Sequence, residues 1–325
     1  MRGLTKKMII SNENIEKLKN LIDDAETIGV VSHVNPDGDN LGSSLAFARA
    51  LRNYGKDTQV VGHDTIDNYL KFLPDLEFYE NNYKDSYDLL LILDASELDR
   101  IGDAQPLASN SKKTAVVDHH LGGKITSDLN IIHPEAPATC QLIFEIIERM
   151  ALPLDEKTAN LLFTGIVTDT GRFMYYDTNR ETFEIAGKLI DLGADKEKIY
   201  SALYQNKPIN VLQFETDLIS NAEFMGDRVF AVASIDKVDE YGVQMGDSEH
   251  IANTLRDLEG ISISMLLKEY GNGEYKVSMR SKGVDISKTA RENGGGGHAN
   301  ASGFSIFDDS LESAAAKARE ILQNI

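Results

Sequence analysis

A two-domain α/β chain is what the sequence predicts, and three observations predict it. Strand-like apolar runs alternate with amphipathic helical stretches through residues 27–192, the mark of a mostly parallel sheet flanked by helices. Three of these runs, Thr27–Val31, Leu89–Leu93 and Thr114–Val117, are each followed by histidine or carboxylate side chains. Beyond residue 208 the alternation gives way to a smaller α+β pattern of strands and short helices.

The elements follow in order. After the strand at 27–32, Asn40 to Tyr54 places Leu41, Leu45, Ala48 and Leu51 on one side of a helix that Gly55 ends. Asp57 to Gly62 is a short strand, 89–94 a buried one and 114–118 another. Pro137 precedes an amphipathic helix carrying Leu142, Ile143, Ile146 and Ile147. A helix from Asp155 to Thr168 leads into Thr168-Asp169-Thr170-Gly171-Arg172-Phe173, and a further one runs from Arg180 to Leu192, where Gly193 stops it. Residues 193–208 interleave Lys and Asp around a short Ile199/Leu203 turn, which makes them a partly helical linker between domains 1–192 and 209–325. The second domain then offers a helix at 209–221, strand-like Arg228–Ile235, a helix at 248–257 and the run Ile261–Lys268. A hairpin turn at Gly271-Asn272-Gly273 opens a strand at Glu274–Arg280. Helices near 285–292 and 310–323 bracket a loop at Gly294–His298.

Composition narrows the functional classes. A chain of 325 residues with 42% hydrophobic and 26% charged residues has the balance of a globular protein. No apolar run reaches the roughly 20 residues that span a bilayer, and the basic N-terminus has too short an apolar stretch for a secretory signal. The single cysteine, Cys140, forms no internal disulfide and sits on an apolar helix face as a small hydrophobe, which suits a reducing cytoplasm. The net charge of −19, from 33 basic and 52 acidic residues, repels a long nucleic-acid strand and argues against an extended basic groove. A short substrate with few phosphates, held by local cations, is compatible with it.

The strand-end clusters carry the chemistry. His33, Asp37 and Asp39 lie in one segment, with Gly38 read as giving the backbone freedom to aim both aspartates. Asp94 follows the second run, and Asp118-His119-His120 the third. In parallel sheets the C-terminal strand ends share one edge, where ligands bind. Carboxylates with imidazoles suit Mn, Fe, Co or Zn. They exceed the needs of one ion, and with Asp94 as bridge two ions about 4 Å apart suit phosphoester hydrolysis by activated water. His63, His133 and His250 have no such company and read as surface or packing residues. In the second domain, the four glycines before His298 expose backbone N–H groups, and Arg280 and His298 are cations able to clamp a phosphate.

Asp118-His119-His120, the preceding clusters in this order and the Gly-Gly-Gly-Gly-His loop together resemble the DHH phosphoesterase superfamily, with a DHHA1-type C-terminal domain, over nearly the whole chain. Within it the compact length most resembles the nanoRNase/pAp phosphatase (NrnA-like) group. The resemblance implies an active site in an inter-domain cleft and two divalent metals, typically Mn²⁺. One metal takes His33, Asp37 and Asp94, and the other takes Asp39, Asp94, His119 and Asp169. It implies that Asp118 orients His119, that His120 faces the scissile phosphate, and that Arg172 is a phosphate ligand. Arg280, Gly296, Gly297 and His298 would hold the substrate's other phosphate end. The implied substrates are very short single-stranded oligoribonucleotides and 3′-phosphoadenosine 5′-phosphate (pAp), with no duplex and no membrane as partner. Linear pApA, pyrophosphate or polyphosphate are the alternative substrates, and a catalytically dead nucleotide-binding or metal-sensing module is the rival from another class. Homodimerisation, metal identity and cleavage polarity stay open.

Overall fold

The structure, a computed structural model, describes residues 9–62, 64–120, 122–123 and 125–325; the basic N-terminus and His63 lie outside them. The chain divides into two compact units between Gln205 and Asn206, inside the segment expected as a linker.

The first unit runs α1 (Asn12–Asp24), β1 (Thr27–Val31), α2 (Gly38–Asn53), β2 (Asp57–Val61), β3 (Tyr79–Glu80), β4 (Leu89–Leu93), α3 (Gln105–Asn110), β5 (Lys113–Asp118), β6 (Leu129–Ile132), α4 (Thr139–Met150), α5 (Glu156–Asp169), α6 (Arg180–Asp191) and α7 (Lys196–Tyr204). Its sheet has the order β3-β2-β1-β4-β5-β6, with every pairing parallel. Strand order reverses between β1 and β4, so the crevice at their C-terminal ends is the natural ligand position of a doubly wound sheet. One face packs Ile28, Val30, Leu91 and Val117 against α1, α2, α4 and α5. The other packs Val31, Leu90, Ile92 and Val116 against Ile101, Ala104 and Leu107. Continuous apolar runs in β4 and β5 are what burial on both faces demands.

Four elements of this unit escape the sequence reading: α1, the two-residue β3, the six-residue α3 and the four-residue edge strand β6. α1 buries only Ile15, Leu18 and Ile22 among charged neighbours, a narrow stripe on a surface helix. α7 buries Ile199 and Leu203 in the first core, so the short turn expected there is a helix of this unit.

α2 and α5 lie antiparallel and unusually close. A Cβ on Gly38 would stand 2.4 Å from Thr168 Oγ1, one on Gly42 2.7 Å from the Leu161 carbonyl, and one on Gly165 2.2 Å from Cys140 Sγ. Gly38 therefore serves helix contact; its φ is not positive, and the expected backbone freedom is not what the site uses. At the far end of the pair, Arg49 of α2 grips Asp155, the N-cap of α5, through Nε at 2.9 Å and Nη2 at 2.6 Å. Its Nη1 donates to buried Asp75 at 2.7 Å, and Lys157 reaches the same carboxylate at 2.9 Å.

The second unit comprises α8 (Ile209–Ser220), β7 (Glu223–Met225), β8 (Arg228–Ala233), α9 (Ile235–Tyr241), α10 (Ile251–Arg256), β9 (Ile263–Gly271), β10 (Glu274–Ser281), α11 (Ser287–Glu292), β11 (Gly296–His298), β12 (Ala301–Phe307) and α12 (Leu311–Gln323). Its mixed sheet has the order β11-β12-β10-β9-β8-β7, with β8 and β9 parallel and the rest antiparallel. The strand expected to reach Ile235 stops at Ala233, because the Ser234 side chain caps α9 by accepting from Lys237 N at 3.3 Å. Gly296–His298, expected as loop, is an edge strand on β12. One sheet face packs Val277, Met279, Phe304 and Ile306 with α12; the other packs Leu266 and Ala231 with α8 and α10. No helix among the described residues is long and apolar enough to cross a membrane.

The Arg49 cluster yields a stability prediction. Burial alone would raise Asp75, but Lys157 and Arg49 overcome it and hold the carboxyl below the ordinary range. Asp155 is held low too, first by Arg49. Depressed folded-state values mean that this stabilisation is present above about pH 4 and lost as pH falls below it. Replacing Arg49 by Ala should cost about 3 kcal/mol at pH 7, because Asp75 stays buried with one partner fewer. Urea titrations should show the difference from wild type shrinking between about pH 4 and pH 2. A constant difference across that range would contradict this assignment.

Candidate metal centre

The site is built at the strand-order reversal. Ser32 and His33 follow β1, and Asn40, in the first turn of α2, fastens this exit. Its Oδ1 accepts from Ser32 Oγ at 2.8 Å, and its Nδ2 donates to the His33 carbonyl at 2.8 Å. Asp37 caps α2 with Oδ1, accepting from Asp39 N at 3.0 Å and Asn40 N at 2.9 Å, which leaves Oδ2 turned to His33. Asp94, immediately after β4, takes a left-handed φ of 55° and is buried. A non-glycine residue held there is strained, and such strain concentrates at working sites.

Two donor triads result. His33, Asp37 and Asp94 form one: His33 Nε2 lies 3.2 Å from Asp94 Oδ2 and 3.8 Å from Asp37 Oδ2. Asp39, His119 and Asp169 form the other: His119 Nε2 lies 3.1 Å from Asp169 Oδ2 and 4.0 Å from Asp39 Oδ2. Asp94 Oδ1 stands 3.6 Å from His119 Nε2, so its two oxygens face the two triads. A third grouping joins Asp94, His119 and His120. The six residues expected as ligands thus converge, through β1, α2, β4, β5 and α5.

The donors have the form that metal binding requires. His33 Nδ1 donates to the Val34 carbonyl at 2.8 Å and His119 Nδ1 to the Ala136 carbonyl at 3.1 Å. A carbonyl only accepts, so both Nδ1 atoms carry hydrogen and each Nε2 faces the carboxylates. Burial, reinforced by Asp94 and Asp169, pushes Asp39 well above the carboxylate range. Burial likewise raises Asp169. Burial would lower His33, but the Asp94 hydrogen bond and the Asp37 charge carry it to about 9. So many buried carboxylates with so little fixed positive charge suit a divalent cation, which would replace protons as their counter-charge.

One expected role is corrected. Asp118 Oδ1 accepts from His120 Nδ1 at 2.8 Å and from His120 N at 3.0 Å, so it orients His120; His119 is oriented by the Ala136 carbonyl. The cause is local: a carboxylate at a strand end reaches the backbone and side chain two residues on, as in an Asx turn. Sequence reading also missed the N-terminus of α4. There Thr139 N and Cys140 N donate to Asp39 at 2.6 and 2.8 Å, and Thr139 Oγ1 donates to Asp94 Oδ1 at 3.0 Å. Only Pro137, just before this helix, hinted at a fixed helix start. Arg172 is exposed on a left-handed turn shared with Gly171 and Phe173, its guanidinium 4.9 Å from the Tyr204 ring centre. His133 is half-buried and His250 exposed, and neither is a member of the three groupings.

In the second unit the register aligns the expected phosphate-binding residues. Arg280 pairs with Ala301, and Ala301 with His298, so Arg280 and His298 flank a small residue on one sheet face. Arg280 Nε donates to Asn253 Oδ1 at 3.1 Å. The glycines separate into two kinds. A Cβ on Gly295 or Gly297 would strike the β12 backbone, at 2.0 Å from the Gly303 carbonyl and 2.5 Å from the Ala301 carbonyl. A Cβ on Gly296 would meet open space.

Residues 27–166 match the model of the DHH family, N-terminal domain, and residues 227–324 match that of the DHHA1 domain. The chain carries a DHH-family N-terminal domain and a DHHA1 domain. It is 28% identical over 288 residues to the bifunctional oligoribonuclease and PAP phosphatase NrnA of Bacillus subtilis, spanning 87% of this chain and 90% of that protein. It is 29% identical over 296 residues to the protein of that name from Thermus thermophilus, spanning 88% and 86%. Its fold matches an exopolyphosphatase-related protein from Bacteroides fragilis with a TM-score of 0.89 at 29% identity, over 99% of this chain and 98% of that one. RecJ of Thermus thermophilus in complex with Mn²⁺ shares the fold at a TM-score of 0.56 and 18% identity, over 95% of this chain and 53% of RecJ.

The glycine contact beneath the DHH centre makes a direct prediction. A Cβ on Gly165 would also stand 2.8 Å from Asp39 Oδ1, so Gly165→Ala must push α2 from α5 or displace Asp39. Calorimetric Mn²⁺ titration should show affinity weakened at least tenfold, together with a stability loss of about 1–3 kcal/mol. Unchanged metal affinity would show that the donors do not depend on this contact.

Proposed function

We propose that the chain is a two-metal phosphohydrolase, working with Mn²⁺, that degrades very short oligoribonucleotides to mononucleotides and removes the 3′-phosphate of pAp. The observation that carries this reading is Asp94, with one oxygen toward His33 and Asp37 and the other toward Asp39, His119 and Asp169. His33, Asp37 and Asp94 would hold one ion; Asp39, Asp94, His119 and Asp169 would hold the other. Bound there, the ions supply a Lewis acid and activated water at neutral pH. The relatives named for oligoribonuclease and PAP phosphatase activity support the choice of substrate.

The chain's own residues then have distinct tasks. His120, held by Asp118 through Nδ1, offers Nε2 to the scissile phosphate or its leaving oxygen. The α4 N-terminus and Thr139 keep Asp39 and Asp94 from turning away. Arg172 would contact phosphate from the first unit, and Arg280, Gly296, Gly297 and His298 from the second. With a net charge of −19, phosphate binding rests on these few local cations, which favours short substrates over polymers.

The test is product analysis of the purified chain with Mn²⁺ and pAp, a dinucleotide, pApA or pyrophosphate. Release of AMP from pAp and of mononucleotides from the dinucleotide is expected. Asp94→Ala should lose turnover by at least a thousandfold, while Arg280→Ala should raise KM about tenfold or more and retain metal. Rapid pyrophosphate turnover without AMP release would overturn the nuclease reading.

A further inference from the structure

The second unit's sheet carries more than the Arg280–His298 row. Along β10, residues 274, 276, 278 and 280 alternate with the buried Tyr275, Val277 and Met279 and lie on the face opposite α12. α8 and α10 cover that face over β8 and β9, where even Lys268 is buried and paired with Glu249. Over β10, β12 and β11 its residues are half-exposed or exposed. Register then defines successive rows. Arg280 aligns with Ala301 and His298, Ser278 with Gly303 and Gly296, Lys276 with Ser305, and Glu274 with Phe307. Gly296, whose missing side chain leaves open space, lies in the second row.

We propose that this face is a short phosphate track, on which Lys276 with Ser305 forms a second phosphate subsite and Glu274 ends it. The inference rests on the function proposed above and names what sets substrate length. Arg280 and Lys276 are four residues apart on one strand, about 14 Å. That is roughly twice the separation of the two phosphates on one ribose and suits phosphates two nucleotides apart along a chain, which a trinucleotide can supply and pAp cannot. Ala301, Gly303 and Gly296 leave room for the sugar-phosphate chain between the cations. Lys276 Nζ rests 4.4 Å from the Tyr270 ring centre, a soft partner from which it can turn to a phosphate. Glu274, which accepts from Ser305 Oγ at 3.4 Å, sets a negative charge where a further phosphate would follow. Gly303 has an internal reason to be glycine, the Val277 carbonyl 2.7 Å from a Cβ; Gly296 has none, and close approach of a ligand supplies one.

The experiment compares wild type, Lys276→Ala, Lys276→Arg and Glu274→Gln on pAp, a dinucleotide, a trinucleotide and a pentanucleotide with Mn²⁺. Lys276→Ala should lower kcat/KM for the trinucleotide about tenfold, leaving pAp within twofold, and Lys276→Arg should restore it. Glu274→Gln should raise the pentanucleotide rate relative to the trinucleotide. Melting temperature and Mn²⁺ stoichiometry should stay unchanged in all four proteins. Equal effects of Lys276→Ala on every substrate, or none on any, would overturn the track while leaving the proposed function standing. If wild type acts on none of these substrates, the proposed function falls and the track falls with it.

Discussion

The close antiparallel contact of α2 with α5 is the constraint on which the first unit depends. Gly38, Gly42 and Gly165 remove the side chains that would hold the helices apart, and Thr168, Cys140 and Asp39 occupy the space. One end of the pair thereby brings Asp39 of α2 and Asp169 of α5 to 4.0 and 3.1 Å from His119 Nε2. The other end is tied by Arg49 to the cap of α5 and to Asp75. Helices set a few tenths of an ångström further apart would keep the fold and lose the donor geometry.

The centre that results is electrostatically unfavourable by itself. Three buried or partly buried aspartates stand around one imidazole, and burial raises two of them above their ordinary range. Asp94 alone is held low: burial opposes its charge, but the His33 hydrogen bond and the neighbouring imidazoles outweigh that. A protein selected only for stability would not assemble such a group. Such a group, with a strained Asp94 backbone, suits a counter-charge supplied from outside the chain.

Much of this was legible in the sequence, for physical reasons. β4 and β5 are short apolar runs bounded by polar residues, a pattern that a strand buried on both faces can hardly avoid. The donors follow because parallel strands put their C-terminal ends on one edge. What could not be read was set by packing. Gly38 looked like a turn residue and is a helix contact. Asp118 looked like the partner of its neighbour His119 and instead holds His120, because the direction of a side chain at a strand end depends on the turn that follows. Thr139 and Cys140, about 100 residues from Asp39, gave no local sign of their task. The glycine run mixed two physical reasons for one residue type, and strand register alone separated Gly296 from its neighbours.

In the proposed function, Asp94 is shared between two metal positions. Manganese titration of the whole metal-free chain, followed by calorimetry and by electron paramagnetic resonance, tests it most directly. Two ions per chain with a spin-coupled spectrum are expected, and for Asp94→Asn the loss of that coupling with weakened binding of both ions. A single uncoupled ion in the wild-type chain, or coupling that survives Asp94→Asn, would contradict it.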